Sequence, residues 1–213
     1  MLSFKDVEIS FDGTTILSGF SLDIPKGGHV VLTGPSGSGK SSLLKTVTGV
    51  VVPKNGKITC NGKKLNSETI QDVRKMICYI SQKISFEPEE SADEFMMLPF
   101  TFKANKDIVP SRKEIEEITK VFGIQYSSLK DKKMSELSGG QAQRLAIARG
   151  LLLKRDIYLL DEATTGLDHK NRAALIDHFR KSGVTILSVS HDPEWIEAFE
   201  NTVDLSEYAH EST

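Results

Sequence analysis

The stretch GPSGSGKSS, residues 34 to 42, restricts the possible folds of this chain more than any other. It follows the apolar run at residues 30 to 32 and precedes KSSLLKTVTGV, whose apolar residues recur with the spacing of a helix. Its three glycines let the backbone curl so that several N–H groups point toward an anion. The positive N-terminus of the following helix faces the same point. A strand, this loop and a helix therefore predict a phosphate-binding site.

The same loop matches the pattern G-x-x-x-x-G-K-[ST], from Gly34 through Gly39 to Lys40 and Ser41. In this pattern the lysine reaches the β- and γ-phosphates of a nucleotide, and the hydroxyl group ligates Mg²⁺. The residues predicted to bind the nucleotide are Gly34, Pro35, Ser36, Gly37, Ser38, Gly39, Lys40, Ser41 and Ser42.

A second apolar run, in IYLLDEAT, ends in two adjacent carboxylates, Asp161 and Glu162. Because Mg²⁺ prefers hard oxygen ligands, we expect Asp161 to hold the metal directly or through water. Glu162 lies one residue beyond the strand, where it can orient and deprotonate the attacking water. Together with the loop, the pair predicts hydrolysis of a nucleotide phosphate.

Short apolar stretches alternate with helical patterns, which predicts an α/β fold with a mainly parallel sheet. Near the start, FKDVEISF and GFSLDI alternate in polarity, as antiparallel strands at an edge do. Strand patterns vanish between Gln82 and Leu137, and SRKEIEEITKVFGI, residues 111 to 124, predicts a capped amphipathic helix in an inserted helical lobe. The predicted buried strands are HVVLTG at 29 to 34, MICYIS at 76 to 81, DIYLLD at 156 to 161 and VTILSVS at 184 to 190.

Composition excludes several classes of protein. The net charge of −2 gives no global reason to expect a nucleic-acid partner, although it is compatible with a local basic patch. Cys60 and Cys78 are too few for a disulfide framework, so we expect reduced core residues of a cytosolic protein. The sequence shows no secretory signal and no apolar run long enough to cross a bilayer. A role at a membrane would therefore require a second chain.

The stretch LSGGQAQRLAIARGLLL, residues 137 to 153, resembles the signature of the ATP-binding cassette (ABC) family. The resemblance extends from about Val7 to Leu205, with the family's motifs in their usual order. It implies one ABC ATPase domain over residues 1 to 213, with the P-loop NTPase (RecA-like) fold and with ATP and Mg²⁺ as cofactors. The implied division is a core with a β subdomain at about 1–82 and 135–213, and a helical subdomain at about 83–134.

The resemblance also assigns roles to single residues. Gln82 matches the Q-loop glutamine, which senses Mg²⁺ and the attacking water, and His191 matches the switch histidine, which contacts the γ-phosphate. Phe11 falls where the family places an aromatic ring under the adenine, although a core position is equally compatible with the pattern. Asp168 matches the end of the D-loop, which reaches the neighbouring subunit.

In the family the signature completes the ATP pocket of a partner chain, so the resemblance implies a head-to-tail dimer, homomeric or formed with another cassette. ATP lies between the chains, and hydrolysis lets the dimer reopen. The residues expected to act in trans are Ser138, Gly139, Gly140, Gln141 and Asp168.

Three functions compete at this point. A small-molecule P-loop kinase has no need of LSGGQ. A soluble ABC ATPase of an assembly or repair system remains the alternative. We favour the ATPase subunit of an ABC transporter, which resides in the cytoplasm at the inner face of the membrane through a separate permease. The apolar residues of DEFMMLPFTF, residues 93 to 102, can form the core of the helical lobe. In the family, this region also borders the groove that receives a cytoplasmic coupling helix of the permease.

Overall fold

The computed structural model describes residues 1–199 and 201–209. The chain forms two compact units. The first comprises Met1–Tyr79, Asp156–Glu162 and the segment from Gly183 onward, and the second comprises Ile80–Arg155 and Ala163–Ser182. The subdomain boundaries that the sequence analysis gave stay a prediction.

Strands and helices alternate along the described residues, as the sequence pattern predicts. The strands are β1 Leu2–Phe11, β2 Thr14–Ile24, β3 His29–Thr33, β4 Asn55–Cys60, β5 Lys63–Lys64, β6 Ile77–Ile80, β7 Ile157–Asp161, β8 Thr185–Val189 and β9 Thr202–Asp204. The α-helices are α1 Lys40–Val47, α2 Ile70–Arg74, α3 Ala92–Met97, α4 Arg112–Val121, α5 Gly139–Leu152, α6 His169–Ser182 and α7 Pro193–Ala198. Short 3-10 helices cover Leu98–Thr101, Lys103–Asn105, Tyr126–Ser128, Met134–Glu136 and Leu205–Glu207.

The strands form two sheets. A five-stranded sheet has the order β6-β7-β8-β3-β9, and β3 pairs in parallel with both β8 and β9. A four-stranded sheet has the order β2-β1-β4-β5, with antiparallel pairs throughout. The predicted α/β fold, with a parallel core and antiparallel strands at the start of the chain, is confirmed. The antiparallel strands have a sheet of their own because β1 pairs on its other side with β4.

The core of the first unit explains why the phosphate loop is held in place. Strand β3, which has a neighbour on each side, has three buried residues in succession, because parallel strands covered on both faces carry continuous apolar runs. The helix α1 packs against β7 and β8 and buries Leu43, Leu44 and Val47 completely. The loop between β3 and α1 is thus fixed at both ends, and so it has a defined shape.

The second unit is helical, as predicted for its residues between Gln82 and Leu137. The predicted capped helix is α4, whose N-cap Ser111 accepts from the backbone N–H of Glu114 while the Glu114 side chain accepts from Ser111. Helix α3 packs against α5, where the guanidinium group of Arg149 stacks over the ring of Phe95 at 3.6 Å from its centroid. Arg149 also donates to the carbonyl oxygen of Phe95. These contacts fix the two helices to each other.

The apolar stretch at residues 93 to 102 divides into two groups. Phe95, Met96 and Phe100 are buried, whereas Leu98 and Phe102 are 45% and 55% exposed. The stretch therefore supplies core to the second unit and also places two large apolar side chains at its surface. Within the described residues no helix is both long and apolar enough to span a membrane.

Candidate functional site

The loop after β3 requires glycine where the chain turns most sharply. Gly34 has φ +130°, and a Cβ atom there would lie 3.1 Å from both Ser38 Oγ and Asp204 Oδ1. Gly39, the N-cap of α1, has φ +89° in the left-handed region. Residues other than glycine rarely adopt these backbone conformations, so the glycines allow the curled loop that the sequence predicts.

Lys40 begins α1, and its ammonium group turns back over the loop. The Nζ atom donates to the carbonyl oxygens of Gly34, at 2.8 Å, and Pro35, at 2.6 Å. Burial lowers the pKa of Lys40 below its ordinary value, and the nearby carboxylates of Glu162 and Asp161 oppose that effect. A cation is therefore held at the mouth of the loop, where a phosphate group would neutralise it.

Ser41 and Asp161 meet as the sequence analysis predicts for a metal site. The hydroxyl group of Ser41 donates to Asp161 Oδ1 at 2.8 Å, and Asp161 is almost fully buried at the end of β7. Both side chains offer hard oxygen ligands, so this donor set fits Mg²⁺. The described residues contain no group of three or more His, Cys, Asp and Glu side chains that could hold a metal. Mg²⁺ usually keeps several waters and shares its coordination with phosphates, so two protein ligands are enough to hold it.

The second oxygen of the same carboxylate has a partner that sequence reasoning missed. The phenol group of Tyr79, in β6, donates to Asp161 Oδ2 at 2.7 Å. The only indication in the sequence is one tyrosine in the otherwise apolar strand ICYI, and this does not reveal which neighbour it contacts. Asp161 is thus hydrogen-bonded through both oxygens.

Glu162 leaves the sheet in an unusual backbone conformation. Its φ is +50°, which is rare for a residue other than glycine, and its backbone N–H donates to the carbonyl oxygen of Val189. This turn sends the side chain away from the strand axis, where 28% of it is exposed. The Nε2 atom of His191 lies 3.8 Å from Glu162 Oε1. The residues predicted as catalytic base and switch histidine are therefore neighbours at the ends of β7 and β8.

The loop that carries His191 is anchored on both sides. The backbone N–H of Asp192 donates to Ser190 Oγ, and the Asp192 carboxylate caps α7 by accepting from the N–H groups of Glu194 and Trp195. Because hydrogen bonds hold the residues on both sides of His191, its half-exposed imidazole can reach only a limited range of positions.

The first unit brings together five of the predicted site residues: Lys40, Ser41, Asp161, Glu162 and His191. Phe11 lies at the end of β1, before the turn into β2, and is 42% exposed. A ring with an open face at this position is not a core residue, which removes the alternative that the sequence left open. Its contact with adenine stays a prediction.

The predicted residues outside the phosphate loop that lie in the second unit are Gln82, Asp168 and the signature residues Ser138, Gly139, Gly140 and Gln141. Gln82 is exposed just after β6. Ser138 is the N-cap of α5: its Oγ accepts from the Gln141 N–H, and the Gln141 side chain accepts from the Ser138 N–H. Asp168 precedes α6, and its carboxylate accepts from the backbone and side-chain N–H groups of Asn171. These hydrogen bonds lower the pKa of Asp168.

Comparison with known proteins identifies the family. The family model described as ABC transporter matches residues 17–165, which include the loop, the signature and the carboxylate pair. The chain belongs to the ABC transporter family. It is 33% identical over 198 residues to a spermidine/putrescine import ATP-binding protein of Mycoplasma mycoides, covering 91% of this chain and 55% of that protein. It is 32% identical over 202 residues to a probable iron chelatin transport ATP-binding protein of Helicobacter pylori, covering 92% of this chain and 79% of that one.

A solved structure of this family shows the same fold. The dimeric ATP-binding cassette MJ0796, in a post-hydrolysis state bound to ADP and Pi, superposes with a TM-score of 0.81 at 28% identity, covering 96% of this chain and 94% of that one. The predicted P-loop cassette fold is therefore confirmed. The chain spans a little over half the length of the first curated relatives it matches, 57% and 55%.

Proposed function

We propose that this chain is the ATP-binding and ATP-hydrolysing subunit of an ABC transporter. It powers transport through a separate membrane-spanning partner by ATP-driven dimerisation. The main observation behind this proposal is that Lys40, the Ser41–Asp161 pair and the Glu162–His191 pair lie in one compact unit.

Each of these groups has a role that its position suits. Lys40 contacts the β- and γ-phosphates, and Ser41 with Asp161 holds Mg²⁺, which neutralises charge on the phosphates. Glu162 accepts a proton from the attacking water, and His191 contacts the γ-phosphate. Gln82 contacts Mg²⁺ and the water, and Phe11 stacks on the adenine.

The signature segment supports a pocket shared between two chains. Ser138 and Gly139 are exposed, and the first N–H groups of a helix have no partner within it. The capping hydrogen bond uses Ser138 Oγ as an acceptor, so its hydroxyl proton and the N–H groups of Gly139 and Gly140 can donate to a phosphate. In a head-to-tail dimer these donors and Asp168 complete the partner's site.

The membrane partner is inferred from the relatives and from the surface of the second unit. Both curated relatives described above are named as ATP-binding proteins of transport or import. Leu98 and Phe102 offer an exposed apolar surface that a permease segment can cover. The chain would then sit at the cytoplasmic face of the membrane, bound to the permease.

Size-exclusion chromatography of a Glu162→Gln variant tests the dimer. We expect a dimer with MgATP and a monomer without nucleotide, because the nucleotide lies between the chains. Adding Ser138→Arg should abolish the dimer. Adding Ser135→Arg instead is the matched control, since Ser135 is equally exposed but lies before the cap. A dimer that forms equally with and without MgATP would contradict the proposal.

Affinity capture from native membranes tests the transporter role. With the tagged wild-type chain as bait, we expect a multi-spanning membrane protein among the bound proteins. A Phe102→Asp variant should capture less of it, whereas Val52→Asp, at an 81% exposed residue of the first unit, should not. Recovery of soluble partners alone would favour an assembly or repair ATPase.

A further inference from the structure

Asp161 is hydrogen-bonded through both carboxylate oxygens, and the two partners differ in kind. Ser41, which donates to Oδ1, is itself a proposed ligand of Mg²⁺. Tyr79, which donates to Oδ2, lies on the neighbouring strand β6 and belongs to none of the motifs that define the site. From this geometry we propose that Tyr79 is a positioning residue for the metal site: its phenol group sets the orientation in which Asp161 meets Mg²⁺.

The surroundings of Tyr79 make it a persistent donor. Its side chain is half-buried, and its hydroxyl group lies 2.7 Å from Asp161 Oδ2. A phenol group is protonated at neutral pH, so this hydroxyl group remains available to donate.

Removing this donor would affect the carboxylate more than the fold around it. Asp161 is only 7% exposed, so the hydrogen bond that Oδ2 loses would not be readily replaced by one from bulk water. The carboxylate would then rotate to share Ser41 between its oxygens or draw in a water molecule. Either change costs metal affinity, because groups that orient a metal ligand typically contribute about 10- to 100-fold.

The inference rests on the proposed function, so its test separates ATP binding from metal binding. The variants are Tyr79→Phe and, as a matched control, Tyr126→Phe. Tyr126 is also a buried tyrosine that donates to a carboxylate, that of Asp93, but it lies in the second unit. A fluorescent ATP analogue is titrated in EDTA and again across a Mg²⁺ series, and Mn²⁺ binding to the nucleotide complex is followed by electron paramagnetic resonance.

For Tyr79→Phe we expect unchanged nucleotide affinity in EDTA, about 10-fold weaker Mg²⁺ and Mn²⁺ binding, and ATPase activity that recovers as Mg²⁺ is raised. Tyr126→Phe should match the wild type in all three. A purely structural role predicts lower thermal stability with an unchanged metal response, and that result would overturn the inference. So would nucleotide and metal affinities that fall together.

Two further outcomes are distinguishable. If wild-type protein binds the nucleotide with no response to Mg²⁺, the proposed function fails, and this inference fails with it. If Tyr79→Phe does not fold, Tyr79→Met offers a flexible apolar side chain without a donor, and the same loss of metal affinity is expected. Wild-type metal affinity in either folded variant would refute the role of Tyr79.

Discussion

Replacing Glu162 by glutamine isolates the chemical step from nucleotide binding. Glutamine has the same length and shape as glutamate, and the backbone at this position is held by the hydrogen bond from the Glu162 N–H to Val189. The new side chain can still orient a water molecule, but its amide cannot accept the proton. The hydrogen bonds of Lys40 and Ser41, the residues that we assign to phosphate and metal, do not involve this side chain.

The size of the expected effect follows from the proposed role of Glu162 as general base. Removing such a base typically slows a reaction roughly 10²- to 10⁴-fold, which corresponds to about 3 to 5 kcal/mol in the barrier. Phosphate release in a single turnover measures the chemical step, and equilibrium titration with MgATP measures binding.

The matched control is Glu197→Gln, which removes the same charge from an exposed residue of α7, six positions after His191. It should hydrolyse ATP at the wild-type rate. Slow hydrolysis by Glu162→Gln with wild-type MgATP affinity would support the assignment. A Glu162→Gln variant that hydrolyses ATP as fast as the wild type would show that another group takes the proton.

Three further predictions test the pocket and the fold. Mixing the inactive variants Lys40→Ala and Ser138→Arg should restore ATPase activity, up to roughly half if the pockets are independent, since one pocket of the mixed dimer is intact; no recovery would count against a shared site. Ser188→Ala removes the acceptor of the Trp195 indole N–H, so urea unfolding followed by Trp195 fluorescence should show about 1 to 3 kcal/mol less stability. Lys54 and Asn55 hold the pKa of Glu8 at about 2, below its ordinary 4.5, so the ionised carboxylate stabilises the fold. Glu8→Gln should therefore lower the free energy of unfolding above pH 4.5, and its difference from the wild type should vanish as pH falls toward 2. A difference that stays constant across pH would refute this.

The sequence was sufficient for the parts of the site that are local in the chain. The loop, its glycines and Lys40 lie within nine residues, so their pattern is visible without the fold. Asp161 and Glu162 could be placed because they directly follow an apolar strand, and the carboxyl ends of parallel strands meet at one edge of a sheet. The same local signals predicted α4 and the four main strands.

Other features depend on pairings that no short pattern encodes. Strand β9 has three residues, too few for an apolar run to stand out, and it forms by pairing with β3. Two strands of the antiparallel sheet, β4 and β5, escaped prediction for a similar reason. Their exposed residues are polar, so no long apolar run marks them, and β5 has only two residues, both of them lysines.

The contrast between Ser41 and Tyr79 shows where local reasoning ends. Both donate to Asp161, over separations of 120 and 82 residues. Ser41 could be predicted because it belongs to the phosphate-loop pattern. That pattern predicts a bound metal, and the metal in turn predicts a carboxylate ligand. Tyr79 belongs to no motif, and its proposed role depends on β6 lying beside β7 in the sheet. A residue of that kind joins a site only through the fold. The proposed ligands of the metal could therefore be predicted from the sequence, whereas the proposed orienting group depends on which strands are neighbours in the sheet.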